Sequence, residues 1–187
     1  MELPFLSDED FFENCPPQTL CSVCGSNEIR PFMLVGDKYY WTCNVCKARI
    51  LSCKHWLSKE EEFKYYQTHQ NISSDPAYQE FAAQLALPIL DKLVPNSSGL
   101  DFGCGPDSAL SAILRQHGHN MTVYDPFFFP DKNSLKKTYD FIVCSEAAEH
   151  FHQPAKEFKK FNSLLNENGW IGICLLYTSP SPRDWDE

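Results

Sequence analysis

Apolar positions recur with two periods along this chain, and the change of period divides it. In the middle, Phe81, Leu85, Ile89 and Leu93 fall four apart. That spacing lines one face of a helix, which Asp75-Pro76 opens with proline at its first position. Pro88 lies inside this helix, where a kink is expected. A helix is also expected after Ser58, an N-cap followed by Glu60, Glu61 and Glu62 in the first turn. From residue 99 short apolar runs alternate with helical ones. Gly99–Phe102, Met121–Asp125, Tyr139–Cys144 and Trp170–Leu176 read as strands. Ser108–His117, stopped by Gly118, and Pro154–Leu165, with Phe158, Phe161, Leu164 and Leu165 on one side, read as helices. Such alternation predicts an α/β fold: a Rossmann-like, mostly parallel sheet with right-handed crossovers. Fourteen residues separate Asp125 from Asp140. That is too short for helix, strand and helix, so a third strand is expected to be abbreviated or absent.

Ahead of residue 58 the pattern differs. Residues 1–14 alternate acidic side chains with Phe5, Phe11 and Phe12 and read as a tail. Residues 15–57 hold six of the nine cysteines, and Ile29–Val35 and Lys38–Thr42 can pair as a hairpin around Gly36-Asp37. Cys21-x2-Cys24 and Cys43-x2-Cys46, eighteen residues apart, have the spacing of a four-thiolate zinc site, each turn presenting two sulfurs to one ion. The module is thus expected to be a zinc ribbon with a structural ion, since four thiolates leave no open position for substrate. Cys15, Cys53 and His55 are left spare. Lys38, Lys47, Arg49 and Lys54 among Tyr39, Tyr40 and Trp41 admit two readings: a surface that stacks on nucleic acid, or hairpin packing with solvated lysines.

Composition narrows the classes. At 187 residues the chain is one domain, or one domain plus a small module. The formal net charge of −9 argues against a broad basic surface for a phosphate backbone. No apolar run reaches the ~18 residues of a membrane helix, and the acidic start lacks the basic region of a signal peptide. Nine cysteines in such a chain suit metal ligands and reduced thiols, so a cytoplasmic location is expected.

The candidate site begins at Gly103-Cys104-Gly105, a strand-to-helix turn where the backbone can approach a ligand closely and the helix start favours polar groups. Asp125 ends the next strand, 22 positions after Gly103, where an acidic residue can meet a ribose. Glu146, Glu149 and His150 follow the Tyr139 strand; on a helical turn they would share a face.

Leu-Asp-Phe-Gly-Cys-Gly105, Val-Tyr-Asp125, Tyr-Asp-Phe-Ile-Val-Cys-Ser-Glu-Ala-Ala-Glu-His150 and Asn168-Gly-Trp-Ile-Gly-Ile occur in that order. In this the chain resembles class I S-adenosylmethionine-dependent methyltransferases over roughly residues 60–176. As a whole it is similar to bacterial members that carry an N-terminal zinc ribbon. The resemblance implies S-adenosylmethionine as cofactor. Asp101 would orient the methionine amino group, Gly103, Cys104 and Gly105 would pass beneath the methionine and ribose, and Asp125 would accept from the ribose hydroxyls. Pro126 and Phe127 would lie against adenine, Ser145 and Glu146 would line the methyl-bearing side, and Tyr66 and His69 would cap the cofactor. Taken bottom-up, Asp101 could instead cap a helix, Phe127 could be core, and Tyr66 and His69 could be helix surface.

Methyl transfer from a sulfonium asks mainly for alignment, and for a base only when the acceptor must lose a proton early. Three readings of the Glu146–His150 turn stay open: His150 is a general base, with Glu146 beside it; Glu146, Glu149 and His150 hold a divalent cation; or the turn is structural. Glu-x-x-Glu-His resembles the pattern in small-RNA terminal 2′-O-methyltransferases and some quinone-biosynthesis O-methyltransferases. No Asn/Asp-Pro-Pro-aromatic run follows the strand, which speaks against nucleobase or glutamine amide nitrogens as acceptors. The expected acceptor is a small molecule rather than nucleic acid, with no membrane partner and the oligomeric state left open. An RNA methyltransferase using the ribbon for contact, or an inactive cofactor-binding fragment, are the alternatives.

Two departures from the family stand out. Asp107 occupies a loop position where glycine is usual. The chain then passes from Leu175-Leu176 into a Ser- and Pro-rich end that cannot join a central strand. The expected division is therefore an acidic tail (1–14), zinc ribbon (15–57), helical lead-in (58–95), partial core (96–176) and a non-native tail (177–187), with the sheet incomplete at its C-terminus.

Overall fold

The computed structural model describes residues 13, 15–68 and 72–175. His69, most of the expected acidic tail, and everything from Leu176 onward lie outside those residues. The chain forms two compact units, Met1–Lys64 with His152–Phe158, and Tyr65–Phe151 with Lys159–Glu187.

The first unit is built on an antiparallel sheet of β1 (Ile29–Val35), β2 (Lys38–Cys43) and β3 (Arg49–Leu51), in that order. β1 and β2 pair from Ile29↔Cys43 to Val35↔Lys38 around the expected Gly36-Asp37 turn. Their register shifts between Pro31 and Met33, beside a proline that has no N–H for the ladder. β3 was not expected: three residues are too few to show a period. Trp41 and Cys15 are buried together, with Ile29 and Tyr39 against them, and Ile50 packs beside Cys21 and Cys43. Trp41 is thus core and not a stacking platform. A 3-10 turn, Cys53–His55, follows, and then α1 (Lys59–Tyr66). Ser58 and Glu61 cap α1 reciprocally: Ser58 N–H donates to Glu61 Oε2 at 2.8 Å, and Glu61 N–H to Ser58 Oγ at 3.3 Å.

In the second unit α2 (Pro76–Leu90) starts at Asp75, whose Oδ1 accepts from Ala77 N–H at 2.9 Å. Next come β4 (Ser98–Phe102), α3 (Ala109–Gln116), β5 (Asn120–Tyr124), β6 (Tyr139–Ser145), α4 (Pro154–Leu164), of which this unit holds the residues from Lys159 on, and β7 (Leu165–Cys174). The sheet runs β5-β4-β6-β7, and every pairing is parallel. Residues of β6 alternate between two cores. Phe141 and Val143 join Ala82, Ala86 and Ile89 of α2 and Leu110 and Leu114 of α3. Ile142 and Cys144 join Leu100, Phe102 and, from α4, Phe161 and Leu164. A strand buried on both faces is what helix-covered parallel sheets require.

Between β5 and β6 there is no strand, as the short spacing predicts. That stretch holds an isolated bridge, Asp125↔Phe129, and a 3-10 turn, Ser134–Lys136. Three segments meet at Asp140. Its Oδ2 accepts from the N–H and hydroxyl of Ser98 at 2.8 and 2.9 Å, and its Oδ1 from Asn166 Nδ2 at 2.8 Å. β7 starts earlier than the sequence suggests, at Leu165, and its register with β6 shifts between Tyr139 and Phe141. Among the described residues β7 is an edge strand, with Trp170, Ile171 and Ile173 exposed.

Candidate functional site

Two arrangements carry chemistry, one in each unit. In the first, the sulfurs of Cys21, Cys24, Cys43 and Cys46 all lie within 4.8 Å of one another. Cys21–Cys46 and Cys24–Cys43 are 3.6 Å apart, near the ~3.8 Å between corners of a tetrahedron with Zn–S bonds of ~2.3 Å. The two Cys-x-x-Cys turns are built alike. Gly25 N–H donates to Cys21 C=O and Lys47 N–H to Cys43 C=O, at 2.9 and 3.0 Å. Gly25 (φ +74°) and Lys47 (φ +63°) both take the left-handed conformation that turns the chain back. Four thiols so close cannot all ionise unaided. The backbone N–H of Cys46 draws Cys43 down to about 6. Cys46 is pushed up to about 12: the Ala48 N–H pulls the other way, but burial and the three neighbouring sulfurs outweigh it. A cation would remove that conflict, so the donor set fits a tetrahedral thiolate-binding ion. His55 is a spare group, as expected. Its Nε2 accepts the Tyr39 N–H at 3.1 Å, its ring stacks on Tyr39, and burial, with Lys38 and Lys54, holds it below 6.5.

In the second unit, the site is assembled where β4, β5 and β6 end. Gly103 (φ +77°) and Cys104 both donate N–H to Tyr124 C=O, at 2.8 and 3.3 Å. A Cβ on Gly103 would meet that of Ala147 at 2.5 Å, whereas one on Gly105 (φ +66°) would meet nothing within 4 Å. Gly103 is required by close approach and backbone; Gly105 by backbone alone, beside open space. Burial, then Asp101 and Asp125, push the Cys104 thiol up, so it stays neutral. The carboxylate of Asp125 is turned back into this loop: Oδ2 accepts from Gly105 N–H at 3.1 Å, and Oδ1 from Phe127 and Phe128 N–H at 2.8 and 3.0 Å. Next to it, the Tyr66 ring lies 5.7 Å from that of Phe127 and 5.7 Å, edge to face, from His150. Asp101 is buried, and its Oδ2 accepts hydroxyl protons from Ser108 at 2.6 Å and Ser111 at 2.7 Å. Burial raises its pKa against those two bonds.

The end of β6 departs from expectation. Glu146 has φ +52°, unusual for a residue with a side chain, and its N–H donates to Cys174 C=O at 2.8 Å. The helical turn begins only at Ala148, as a 3-10 turn to His150. Glu146 therefore stands outside it, and the face that Glu146, Glu149 and His150 would share on an α-helical turn is not formed. Among the described residues the only group of three or more potential metal ligands is the four cysteines.

Residues 75–187 match the family model described as a methyltransferase domain. The chain belongs to that methyltransferase family. The class I, S-adenosylmethionine-dependent pattern of its motifs and the parallel sheet agree with it. A solved S-adenosylmethionine-dependent methyltransferase of Thermotoga maritima, titled a possible histamine N-methyltransferase, is 14% identical over 52% of this chain and 53% of that one, with a TM-score of 0.30. The chain thus spans about half the length of that protein. No curated protein matches.

Within this methyltransferase domain, some site residues escaped sequence reading. Ser108 and Ser111 carry only a helical signal in the sequence, although their hydroxyls hold Asp101. Tyr78 sits in the apolar stripe of α2, yet burial and the charges of Asp101, Glu146 and Asp107 push its phenol up to about 12. Asp107, at the position where glycine is usual, accepts the Ser73 N–H at 2.7 Å. No described helix is long and apolar enough to cross a membrane.

Proposed function

We propose that this chain transfers the methyl group of S-adenosylmethionine to a small-molecule acceptor, with a structural zinc ion held by Cys21, Cys24, Cys43 and Cys46. The observation that carries the reading is the Asp125 carboxylate bonded back to Gly105. A carboxylate offers about four acceptor directions, and three are taken by backbone N–H groups. The remaining one, on Oδ2, suits a ribose hydroxyl beside the open space at Gly105. Gly103 and Cys104 form the floor of the loop, and Pro126 and Phe127 supply an apolar wall for adenine. Tyr66, against both Phe127 and His150, supports a capping role; His69 lies outside the described residues. Asp101 is engaged with Ser108 and Ser111 and acts on the methionine end by holding the loop and the start of α3.

The cofactor supplies an activated methyl on a neutral leaving group. The protein's task is alignment. Ser145 and Glu146 stand on the methyl-bearing side, and the left-handed backbone of Glu146 aims its side chain differently from a residue in the turn. His150 is exposed, with its ring edge to face against Tyr66, which suits a base that takes a proton from a hydroxyl acceptor. The acidic net charge supports a small acceptor, as does the ribbon. There Arg49 lies 4.5 Å over Phe32 and Lys54 4.9 Å over Tyr39, so these cations already stack on the unit's own rings. The four-thiolate cluster and the free cysteines beside it support a cytoplasmic setting.

Calorimetry with S-adenosylmethionine on the wild type and Asp125→Ala tests the cofactor assignment: binding is expected in the first and lost in the second. Equal binding in both, or none in either, sinks it. Binding without methyl transfer to any of a panel of hydroxyl and amine acceptors would favour an inactive cofactor-binding fragment.

A further inference from the structure

Tyr78 stands in the first turn of α2, and three bonds tie that turn to the exit of the glycine loop. Asp107, two residues past Gly105, accepts the Ser73 N–H on Oδ2 at 2.7 Å. Gln79 Nε2 donates to the Ser73 C=O at 2.9 Å, and Asp75 Oδ1 accepts the Ala77 N–H at 2.9 Å. The Tyr78 ring is half-buried against the core that includes Ala82, Ala109 and Phe141. Its hydroxyl makes no hydrogen bond among the described residues, although a partly buried phenol ordinarily finds a partner. Burial, then the charges of Asp101, Glu146 and Asp107, keep the proton on it. Those carboxylates come from the end of β4, the turn after β6 and the exit of the loop. Loop and turn touch at Gly103 and Ala147, so Tyr78 stands beside the place where the strand ends meet.

That place is rich in acceptors, and the donors nearest the loop are spent. Gly103 and Cys104 N–H donate to Tyr124 C=O, and Gly105 N–H to Asp125 Oδ2. The hydroxyls of Ser108 and Ser111 donate to Asp101. Ionised carboxylates accept only, so Asp107 and Glu146 suit an ammonium group and repel an anion. The methionine end of S-adenosylmethionine carries both an ammonium and a carboxylate. We infer that Tyr78 is a cofactor-binding residue whose hydroxyl donates to the methionine carboxylate, the group that the surrounding acids cannot receive. The inference rests on reading this loop as the S-adenosylmethionine site and deepens that reading, because it places the carboxylate's partner on α2, outside the strand-end motifs.

Calorimetry with two ligands tests it without reference to activity. Tyr78→Phe keeps the ring and its packing, and its thermal melt should match that of the wild type. It should bind S-adenosylmethionine about tenfold or more weakly, the loss expected of a hydrogen bond to a charged group. Decarboxylated S-adenosylmethionine, which keeps the amine and lacks the carboxylate, should bind the two proteins equally. The inference is overturned if Tyr78→Phe binds S-adenosylmethionine like the wild type, or if it weakens both ligands alike, which marks a structural role. Either result, with wild-type binding intact, strikes this inference alone. A wild type that binds neither ligand brings down the cofactor assignment and this inference with it.

Discussion

A Cβ placed on Gly103 would fall 2.5 Å from the Cβ of Ala147. The glycine loop after β4 and the start of the turn after β6 are therefore in contact at a point where no side chain fits. Gly103→Ala must both hold φ +77° and displace the turn; a loss of about 2–4 kcal/mol of unfolding free energy is expected. Gly105→Ala carries only the backbone term, about 1 kcal/mol. Urea unfolding of the two variants checks the order; equal losses would show that the contact does not matter.

Asp140→Ala should lower stability by about 1–2 kcal/mol, because it frees Ser98 and Asn166 together and the carboxylate is partly solvated. The Ser98 N–H, with Asn166, holds this carboxyl below its ordinary 3.8. Its contribution is thus whole above about pH 4 and declines as pH falls through the lower folded value. Urea midpoints of wild type and Asp140→Asn should differ at pH 7 and converge in acid.

His55 has the complementary behaviour. Its folded value lies below 6.5 because burial disfavours the charged ring, and only the neutral ring can accept the Tyr39 N–H. Stability is complete above pH 6.5. As pH drops below that, the unfolded chain takes up the proton first and stability falls until the folded value is passed. An NMR titration should place the ring's midpoint under 6.5. His55→Phe keeps the stack, loses the bond and should remove this part of the acid sensitivity in metal-loaded thermal melts.

Metal analysis should find about one zinc per chain, as a closed four-thiolate site binds a single ion. Cys21→Ser with Cys43→Ser should abolish it and unfold the first unit. Cys15→Ser and Cys53→Ser should keep it, since Cys15 donates to Ser52 Oγ at 3.1 Å and Cys53 is outside the cluster. Loss of metal in either of the latter would redraw the ligand set.

Much of this was readable from local pattern. Two Cys-x-x-Cys turns specify their own sulfur geometry, so the cluster follows once the hairpin brings them together. Glycines after an apolar run, followed by Asp125 at the end of the next strand, specify a loop at the carboxyl edge of a parallel sheet. The helix starts at Ser58, Asp75 and Ser108 were legible because caps act over three or four residues. The turn at Glu146 shows the limit of the same rule: Glu-x-x-Glu-His has helical spacing, and only packing against Gly103 and β7 shows that the helical turn starts later.

By itself the sequence determined the strands and α-helices apart from β3, the parallel pairing of the second unit's strands, the thiolate set and the glycine loop with Asp125 at the strand ends. Tertiary structure alone decided that Asp140 joins Ser98 to Asn166, that Asp107 answers Ser73, and that residues 152–158 complete the first unit. The physical reason is range. Periodicity, caps and ligand spacing act between neighbours and leave a trace in composition. A hydrogen bond between residues 42 apart, such as Ser98 and Asp140, depends on where the packed sheet places both ends.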